Sequence, residues 1–220
     1  MSIQQNLESI RKELPSGVKL VAVSKFHPLE ALEEALAAGQ TVFGENRPQE
    51  FEKKAQALQG RGVEWHFIGH LQTNKLKMVL PYADLVQSVD SAHLLEAIND
   101  WGARNGKVIP VLLELHVAAE ETKQGFYEEE ILDIMFRADS FKNVRFCGLM
   151  GMATNTDREE DIRADFGRIK AFYDYLRDLF PEYECFSELS IGMSGDWRIA
   201  TEYGATIVRI GTAIFGERQY

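Results

Sequence analysis

One lysine of the sequence, Lys25, is placed where its amine could act as a nucleophile. It ends VKLVAVSK, an apolar run with the length and β-branched content of a buried strand. Side-chain alternation along a strand puts Val21, Val23 and Lys25 on one face. If that face points into a barrel, Lys25 lies at the mouth, where desolvation disfavours its ammonium form and leaves an amine that can form an imine. The alternative is a lysine that extends from the rim into solvent.

Two segments near the C-terminus, ELSIGMSGD and IVRIGTAIFG, combine hydroxyl groups with glycines. In barrel enzymes the loops after the seventh and eighth strands commonly bind phosphate. Glycine lets backbone N–H groups approach an anion, and a helix that starts after Ser194 would add a favourable dipole. The pattern predicts a phosphate site, unless the glycines serve only the turns. The groups available are Ser190, Ser194, Thr212, Gly192, Gly195, Gly211 and Gly216.

Arg209 and Asn46 are the other candidates for the same site. Arg209 alternates with Ile207 along a predicted strand, so its guanidinium could reach the barrel mouth and serve a phosphate or a ring nitrogen. A structural ion pair, for example with Glu45, is the alternative. Asn46 follows the second predicted strand, where it could hydrogen-bond a ligand hydroxyl or cap the next helix.

The histidines do not predict a metal site. His66 and His70 are four residues apart on a predicted strand, which separates them by roughly 13 Å and excludes a shared metal ion. His66 is expected to be packed or hydrogen-bonded inside the barrel, whereas His70 could line the pocket. Lys123, in EETKQGF, is a second lysine near the mouth, and a solvated loop charge is its simpler interpretation.

Short apolar segments alternate with amphipathic segments along the chain. The apolar segments are rich in Val, Ile and Leu and flanked by turn residues, as expected for parallel strands buried on both faces. Eight strands alternating with helices indicate an α/β fold, and the number eight favours a closed (β/α)8 TIM barrel. The predicted strands are Val18–Lys25, Thr41–Asn46, Glu64–Gly69, Leu85–Asp90, Val108–Val117, Arg145–Ala153, Glu188–Ser194 and Thr206–Ile210.

Turn residues and apolar periodicity predict the helices between these strands. Pro28 is predicted at the first helical position after the first strand, and Asn46 at the start of the helix after the second. The tail over residues 211–220 is too short for a full eighth helix. A helix over residues 2–14 is therefore predicted to pack on the barrel and cover that place. No linker or change in composition divides the chain, so residues 1–220 are predicted to form a single domain.

Composition and charge limit the partners and the compartment. The chain has 220 residues, 24 basic and 34 acidic, for a net charge of −10. An acidic chain gains nothing from counterion release on nucleic acid and is repelled by anionic membranes, so neither partner is expected. The N-terminus lacks the apolar region of a signal peptide, and Cys147 and Cys185 have no metal or redox spacing. These features predict a cytoplasmic protein with reduced thiols.

Six segments of the chain together resemble a known family. They are VAVSK, FGENRPQE, WHFIGHLQTNK, the LMGMA strand, LSIGMS and VRIGTAIFG, in order from the first strand almost to the C-terminus. This set resembles the pyridoxal 5′-phosphate (PLP) homeostasis protein family, also called proline synthetase co-transcribed homologues. The resemblance implies a barrel of PLP fold type III, similar to the N-terminal domain of alanine racemase.

The resemblance also implies roles for particular residues. Lys25 would carry PLP as a Schiff base, Asn46 would lie near the cofactor ring, and Arg209 would contact the pyridine nitrogen. Because arginine does not readily give up a proton, that nitrogen would stay unprotonated and the ring would be a weak electron sink. Carbanion chemistry on amino acids would then be discouraged. The residues implied to hold the phosphate are Ser190, Ser194, Gly211 and Thr212.

Two positions depart from the family pattern. His116 stands where the family often has Asn, and Trp197-Arg198 replaces a more usual Met-Glu or Phe-Glu. These residues lie beside the pocket motifs, so the departures bear on fine contacts of the pocket.

Three functions share the predicted lysine chemistry. The resemblance implies a monomeric carrier that binds PLP, buffers its level and passes it to apo-enzymes, with no catalytic residues of its own. A small PLP enzyme, such as an amino-acid racemase, is the alternative, although alanine racemases add a β-domain and take a second catalytic base, a tyrosine, from the partner subunit. A lysine-dependent aldolase on the same barrel is the third, although in that class the imine lysine usually ends a later strand.

Overall fold

The computed structural model describes residues 2–117 and 124–217, which form a closed barrel of eight parallel strands. The strands are β1 (Lys19–Val23), β2 (Val42–Glu45), β3 (Glu64–Phe67), β4 (Leu85–Val89), β5 (Ile109–Leu115), β6 (Val144–Gly151), β7 (Glu188–Ser190) and β8 (Ile207–Ile210). The helices are α1 (Ile3–Glu13), α2 (Leu29–Ala37), α3 (Pro48–Ala57), α4 (Leu76–Val79), α5 (Ala92–Asn105), α6 (Glu128–Phe136), α7 (Glu159–Leu179), α8 (Trp197–Glu202) and α9 (Thr212–Phe215). Each strand pairs with the next in the chain, and β1 pairs with β8. The predicted (β/α)8 TIM barrel is confirmed.

Most predicted strands extend too far at their carboxyl ends. β1 ends two residues before Lys25, and β2 ends one residue before Asn46. After β1 the backbone leaves the sheet, because Phe26 has a φ of 66°, a left-handed conformation that a strand does not contain. β7 ends at Ser190, four residues before Ser194. Several candidate groups therefore lie on loops above the strands.

The side chains of β1 follow the predicted alternation. Val21 packs inside the barrel, and Val23 and Lys25 line the cavity above it at the mouth. The apolar layer around Val21 comes from strands on all sides of the barrel. It includes Leu85, Leu112, Met150 and Ile207.

Helix α1 packs against α2 and against the single turn α9. Its apolar face is buried at Leu7, and Asn6 Nδ2 donates to the carbonyl oxygen of Ile214 at 2.8 Å. At its other end Glu13 accepts from Arg198 Nε of α8 at 2.7 Å. The helix therefore lies beside α9, at the place where a full eighth helix would be.

Helices at the mouth begin later than the sequence pattern suggests. Pro28 is extended, with ψ of 165°, and precedes α2 rather than opening it. Pro48 takes the first position of α3, because a residue before proline, here Arg47, is held extended. Asn46 therefore does not cap α3, which was one of its two predicted roles. Helix α8 begins at Trp197.

Candidate functional site

A cavity of about 300 Å³ opens at the carboxyl ends of the strands. Its volume is at the lower end of the range for small-molecule sites. Its walls come from the ends of β1 and β8 and from the loops after β1, β2, β3, β6, β7 and β8. It brings together the predicted residues Lys25, Asn46, Ser194, Arg209, Gly211 and Thr212.

Side chains from α3 fix the two residues that flank Lys25. Lys54 Nζ donates to the carbonyl oxygen of Ser24 at 2.9 Å, and Glu50 Oε2 accepts the backbone N–H of Phe26 at 3.1 Å. Lys54 and Glu50 also pair with each other, with 3.4 Å between Nζ and Oε2. Lys25 itself is half-buried. Its backbone is therefore held from both sides while its side chain lines the cavity.

The Lys54 ammonium group is also paired with a fully buried carboxylate, that of Glu45. Lys54 Nζ lies 2.6 Å from Glu45 Oε1, which also accepts from the Ser24 hydroxyl at 2.7 Å. Burial raises the pKa of Glu45, and the neighbouring Lys54 opposes that rise. Glu45 is thus the partner of Lys54, and the predicted alternative of an ion pair between Glu45 and Arg209 is wrong.

Phe26 takes a backbone conformation that costs about 1–2 kcal/mol for a residue with a Cβ atom. Contacts with Glu50 and Arg47 help to hold it there, since Glu50 accepts its N–H and the guanidinium of Arg47 lies 4.4 Å above its ring. Such backbone strain is concentrated at functional sites in proteins. Here it turns the chain immediately after Lys25 and ends the strand.

Hydrogen-bond donors gather on the loops after β7 and β8. Ser194 Oγ accepts the backbone N–H of Gly211 at 3.2 Å, which leaves the hydroxyl proton of Ser194 to be donated elsewhere. Within the described part of the chain, no acceptor takes the backbone N–H groups of Ser194, Gly195 or Thr212. Backbone donors that converge without partners form an anion site. A Cβ on Gly211 would lie 3.1 Å from the carbonyl oxygen of Val23, so a larger residue here would require the neighbouring backbone to shift by a few tenths of an ångström.

Arg209 lies at the base of the cavity and is almost fully buried. Its Nη1 donates to the carbonyl oxygen and to Oγ of Ser190 at 2.8 and 2.6 Å, and its Nη2 donates to the Gly151 carbonyl at 3.0 Å. Burial lowers the pKa of Arg209 to about 10, and the charges of Glu114 and Asp196 oppose this. Arg209 remains a cation at neutral pH and presents only donors.

Asn46 carries a polar atom that has no partner in the described part of the chain. Its Oδ1 is buried and, among the described residues, receives no hydrogen bond. Buried polar atoms are nearly always hydrogen-bonded, so this oxygen is placed to accept from a ligand. Gly69 packs directly against the same residue, since a Cβ there would lie 2.2 Å from the Asn46 carbonyl oxygen.

Gly69→Ala is therefore expected to displace Asn46 and lower the free energy of unfolding by about 1–3 kcal/mol, the usual cost of overpacking. Gly167→Ala is the matched control, because a Cβ at Gly167 would meet its nearest neighbour at an ordinary 3.6 Å. Urea denaturation of the two variants measures the difference. Equal stability of Gly69→Ala and the wild type would contradict the predicted clash.

Three predicted residues lie away from the cavity lining. Ser190 is fully buried below it, and its hydroxyl is used by Arg209 and Gln87. His70 is half-exposed and pairs with Asp90 at 2.7 Å. His66 is buried and hydrogen-bonded in the barrel interior, as expected.

Within the described ranges no group of three or more His, Cys, Asp or Glu side chains is placed to hold a metal ion. Lys123 falls in the gap between these ranges. No helix of the described residues combines the length and the apolar character needed to cross a bilayer.

Sequence reasoning missed the residues that support the site. Lys54 and Glu50 are four residues apart on α3, a spacing that signals a helical ion pair. That signal does not reveal that both contact the Lys25 loop. Gln87 could have been noticed as a polar residue in the middle of the buried strand LVQSV.

The residues that depart from the family pattern make packing contacts. His116 meets the ring of Tyr127 edge-on, with 5.6 Å between ring centroids. Trp197, the first residue of α8, is buried, and Arg198 lies over its ring and pairs with Glu13 of α1. Arg198, held over the Trp197 ring, therefore links α8 to the N-terminal helix.

Comparison with known proteins agrees with this barrel fold. The family model described as alanine racemase, N-terminal domain, matches residues 1–219, and the chain belongs to this family. A protein of Vibrio alginolyticus named pyridoxal phosphate homeostasis protein is 37% identical over 233 residues, which cover 100% of this chain and 99% of the relative. A protein of the same name from Aquifex aeolicus is 41% identical over 203 residues, 92% of this chain and 88% of the relative.

A solved structure with the same fold contains PLP. PipY of Synechococcus elongatus, with PLP bound, superimposes with a TM-score of 0.89 at 34% identity. The match covers 98% of this chain and all of PipY.

Proposed function

We propose that this chain binds PLP through a Schiff base on Lys25 and acts in PLP homeostasis. The observation that carries the proposal is the meeting, in one cavity, of a lysine with a cluster of anion-binding donors. PLP needs both, because its aldehyde reacts with an amine and its phosphate needs hydrogen-bond donors. The name of the relatives and the PLP-bound PipY structure support the same ligand.

The side chains present fit the groups of PLP. The Asn46 Oδ1, which has no hydrogen-bond partner among the described residues, would accept from the ring hydroxyl. Arg209 has five N–H donors and uses three of them on described residues, which leaves two for the ring nitrogen. Ser194 and Thr212 would hold the phosphate. Gly211 would contribute close packing, since Ser194 takes its N–H, and Ser190 would support Arg209 from below.

A carrier role fits the charge of Arg209 better than an enzymatic role. PLP supplies an aldehyde that condenses with amines and a ring that withdraws electrons when its nitrogen is protonated. With a pKa of about 10, Arg209 keeps its own proton at neutral pH and would leave the ring nitrogen unprotonated. We therefore expect no α-hydrogen exchange when D- or L-amino acids are incubated with the PLP-loaded protein in deuterated water. Rapid exchange, followed by NMR, would instead indicate a racemase-like enzyme.

Borohydride reduction of the PLP-loaded protein, followed by peptide mass mapping, tests the Schiff base. The pyridoxyl mass is expected on the peptide that contains Lys25, and Lys25→Ala is expected to abolish labelling. Lys75→Ala, at another lysine near the strand ends, is expected to leave it unchanged. A label on Lys75 or Lys123, or an unmodified Lys25, would overturn the assignment.

The proposed partners are PLP and the apo-enzymes that receive it, and the proposed state is a monomeric single domain in the cytoplasm. Cys147 and Cys185 are free thiols, which supports a reducing compartment. The net charge of −10 argues against nucleic acid and anionic membranes as partners.

A further inference from the structure

A line of polar side chains crosses the barrel interior and ends at Arg209. Ser190 Oγ of β7 lies 2.6 Å from Gln87 Oε1 of β4. Because β4 and β7 are not neighbours in the barrel, this hydrogen bond spans its interior. Gln87 Nε2 in turn lies 2.7 Å from His66 Nδ1 of β3. Ser190, Gln87 and His66 all have 0% exposed surface.

The line reaches the opposite end of the barrel at Glu64. His66 Nε2 and Lys19 Nζ lie 2.8 and 2.6 Å from the same oxygen, Glu64 Oε1. The hydrogen bond from His66, followed by that from Lys19, lowers the pKa of Glu64 to about 2. Glu64 is therefore a fixed negative charge at the far end of the line.

The chemistry of Arg209 sets the direction of every hydrogen bond in this line. Arginine only donates, so Ser190 Oγ accepts from Arg209 and its own single proton goes to Gln87 Oε1. Gln87 then presents its amide N–H to His66, which makes Nδ1 the acceptor. The remaining ring proton sits on Nε2 and is donated to Glu64. Turning the Gln87 amide over would leave the buried Ser190 proton without an acceptor.

The surroundings of Gln87 show that its polar groups are not there for packing. Apart from its two hydrogen-bond partners, Ser190 and His66, the barrel interior also holds an apolar cluster that includes Leu85, Leu112 and Met150. A buried amide is unfavourable unless both of its ends are hydrogen-bonded, and a methionine would fill the same space. The presence of an amide at this position is explained by its hydrogen bond to the Ser190 hydroxyl, which lies under Arg209.

We infer that Gln87 and His66 are positioning residues for Arg209. Gln87, oriented by His66, accepts the Ser190 proton, so the lone pairs of Ser190 Oγ face Arg209 Nη1. These lone pairs and the Gly151 carbonyl together fix the plane of the guanidinium. The inference rests on the proposed function, since the fixed plane directs the remaining N–H donors at the ring nitrogen of PLP. The protonation of the cofactor ring is thereby controlled from the floor of the barrel.

Two substitutions of His66 separate this role from simple packing. In His66→Asn, the Oδ1 takes the place of Nδ1 and still accepts from Gln87. In His66→Gln, the Nε2 takes the place of the histidine Nε2 and still donates to Glu64, but Gln87 loses its acceptor. Gln87→Met removes the line at its centre. A packing role predicts that the two His66 variants behave alike at Arg209.

Two measurements read the position of Arg209 without relying on activity. In the ligand-free protein, ¹⁵N-edited NMR follows hydrogen exchange of the Arg209 side chain, and loss of one supporting hydrogen bond is expected to speed it about tenfold. In the PLP-loaded protein, the pH midpoint of the Schiff-base absorption band reports the ring environment. We expect both readouts to change in Gln87→Met and His66→Gln and to stay near wild type in His66→Asn.

Unchanged exchange at Arg209 in folded Gln87→Met and His66→Gln would overturn the inference, as would equal changes in the two His66 variants. If Gln87→Met does not fold, the two His66 variants carry the test. Failure of the proposed function looks different, because PLP would then not label Lys25 in the wild type while the NMR measurement on ligand-free protein still reports on the line.

Discussion

Replacing Lys54 with methionine is expected to lower the free energy of unfolding by about 3–5 kcal/mol, the cost of removing one partner of a buried ion pair. Lys54 is 7% exposed and its partner Glu45 is fully buried. The substitution leaves the buried Glu45 carboxylate without its ion-pair partner and removes the hydrogen bond to the Ser24 carbonyl, beside Lys25. The loop that carries Lys25 is then less firmly held, since it loses one of the two hydrogen bonds that Lys54 and Glu50 of α3 make to it. Urea denaturation measures the loss of stability.

The neighbouring residue provides the control for this prediction. Lys53 is exposed, and Lys53→Met is expected to change stability by less than about 0.5 kcal/mol. In the double variant Glu45→Gln/Lys54→Met the buried charge is gone, so most of the stability should return. With Glu45→Gln measured alone as well, the double variant minus the sum of the two single variants gives the coupling free energy of the pair. A Lys54→Met protein as stable as Lys53→Met would disprove the contribution of the buried pair.

Local patterns in the sequence were sufficient to predict the barrel and the direction of its inward side chains. Eight apolar segments fixed the number of strands, and alternation put Val21, Val23 and Lys25 on the inner face. Alternation could not predict the strand ends. The apolar pattern continues to Lys25, but Phe26 turns the chain through contacts with Glu50 on α3, which are tertiary.

The positions of side chains along the barrel axis could not be predicted from the sequence either. Ser190 and Ser194 belong to one motif and look equally suited to a phosphate. The structure separates them, because β7 ends at Ser190 and only the loop beyond it reaches the cavity. The partner of Ser190, Gln87, is 103 positions away in sequence. Which side chains meet across a barrel depends on strand tilt and stagger, and these are properties of the closed sheet.

A pH-dependent loss of stability is the second large effect that we expect, and it arises from Glu114 on β5. This carboxyl is 5% exposed, and burial, reinforced by the charge of Asp90 and opposed by that of Arg209, raises its pKa from 4.5 to about 7. The native state therefore holds this proton more tightly than the unfolded chain does. A rise in pKa of this size corresponds to a pH-dependent contribution of about 3 kcal/mol to the free energy of unfolding.

The sign of the effect follows from proton binding in the two states. Between pH 4.5 and 7 the native protein binds more protons at Glu114 than the unfolded chain does, so stability falls as the pH rises. The stabilisation is complete below pH 4.5 and lost above about pH 7. Glu64 affects stability over a different pH range. Because its pKa is lowered to about 2, its contribution to stability is constant above pH 4.5.

Glu114→Gln removes the titrating proton while keeping the size of the side chain. Its stability is expected to match the wild type near pH 4.5 and to exceed it by up to about 3 kcal/mol at pH 8. Glu33→Gln, at an exposed position of α2, is expected to give a curve parallel to the wild type. Urea denaturation of the three proteins at intervals from pH 4.5 to 8 makes the comparison. Parallel curves for Glu114→Gln and the wild type would show that Glu114 ionises at an ordinary pH, and the barrel interior beside Arg209 would then be more polar than its burial implies.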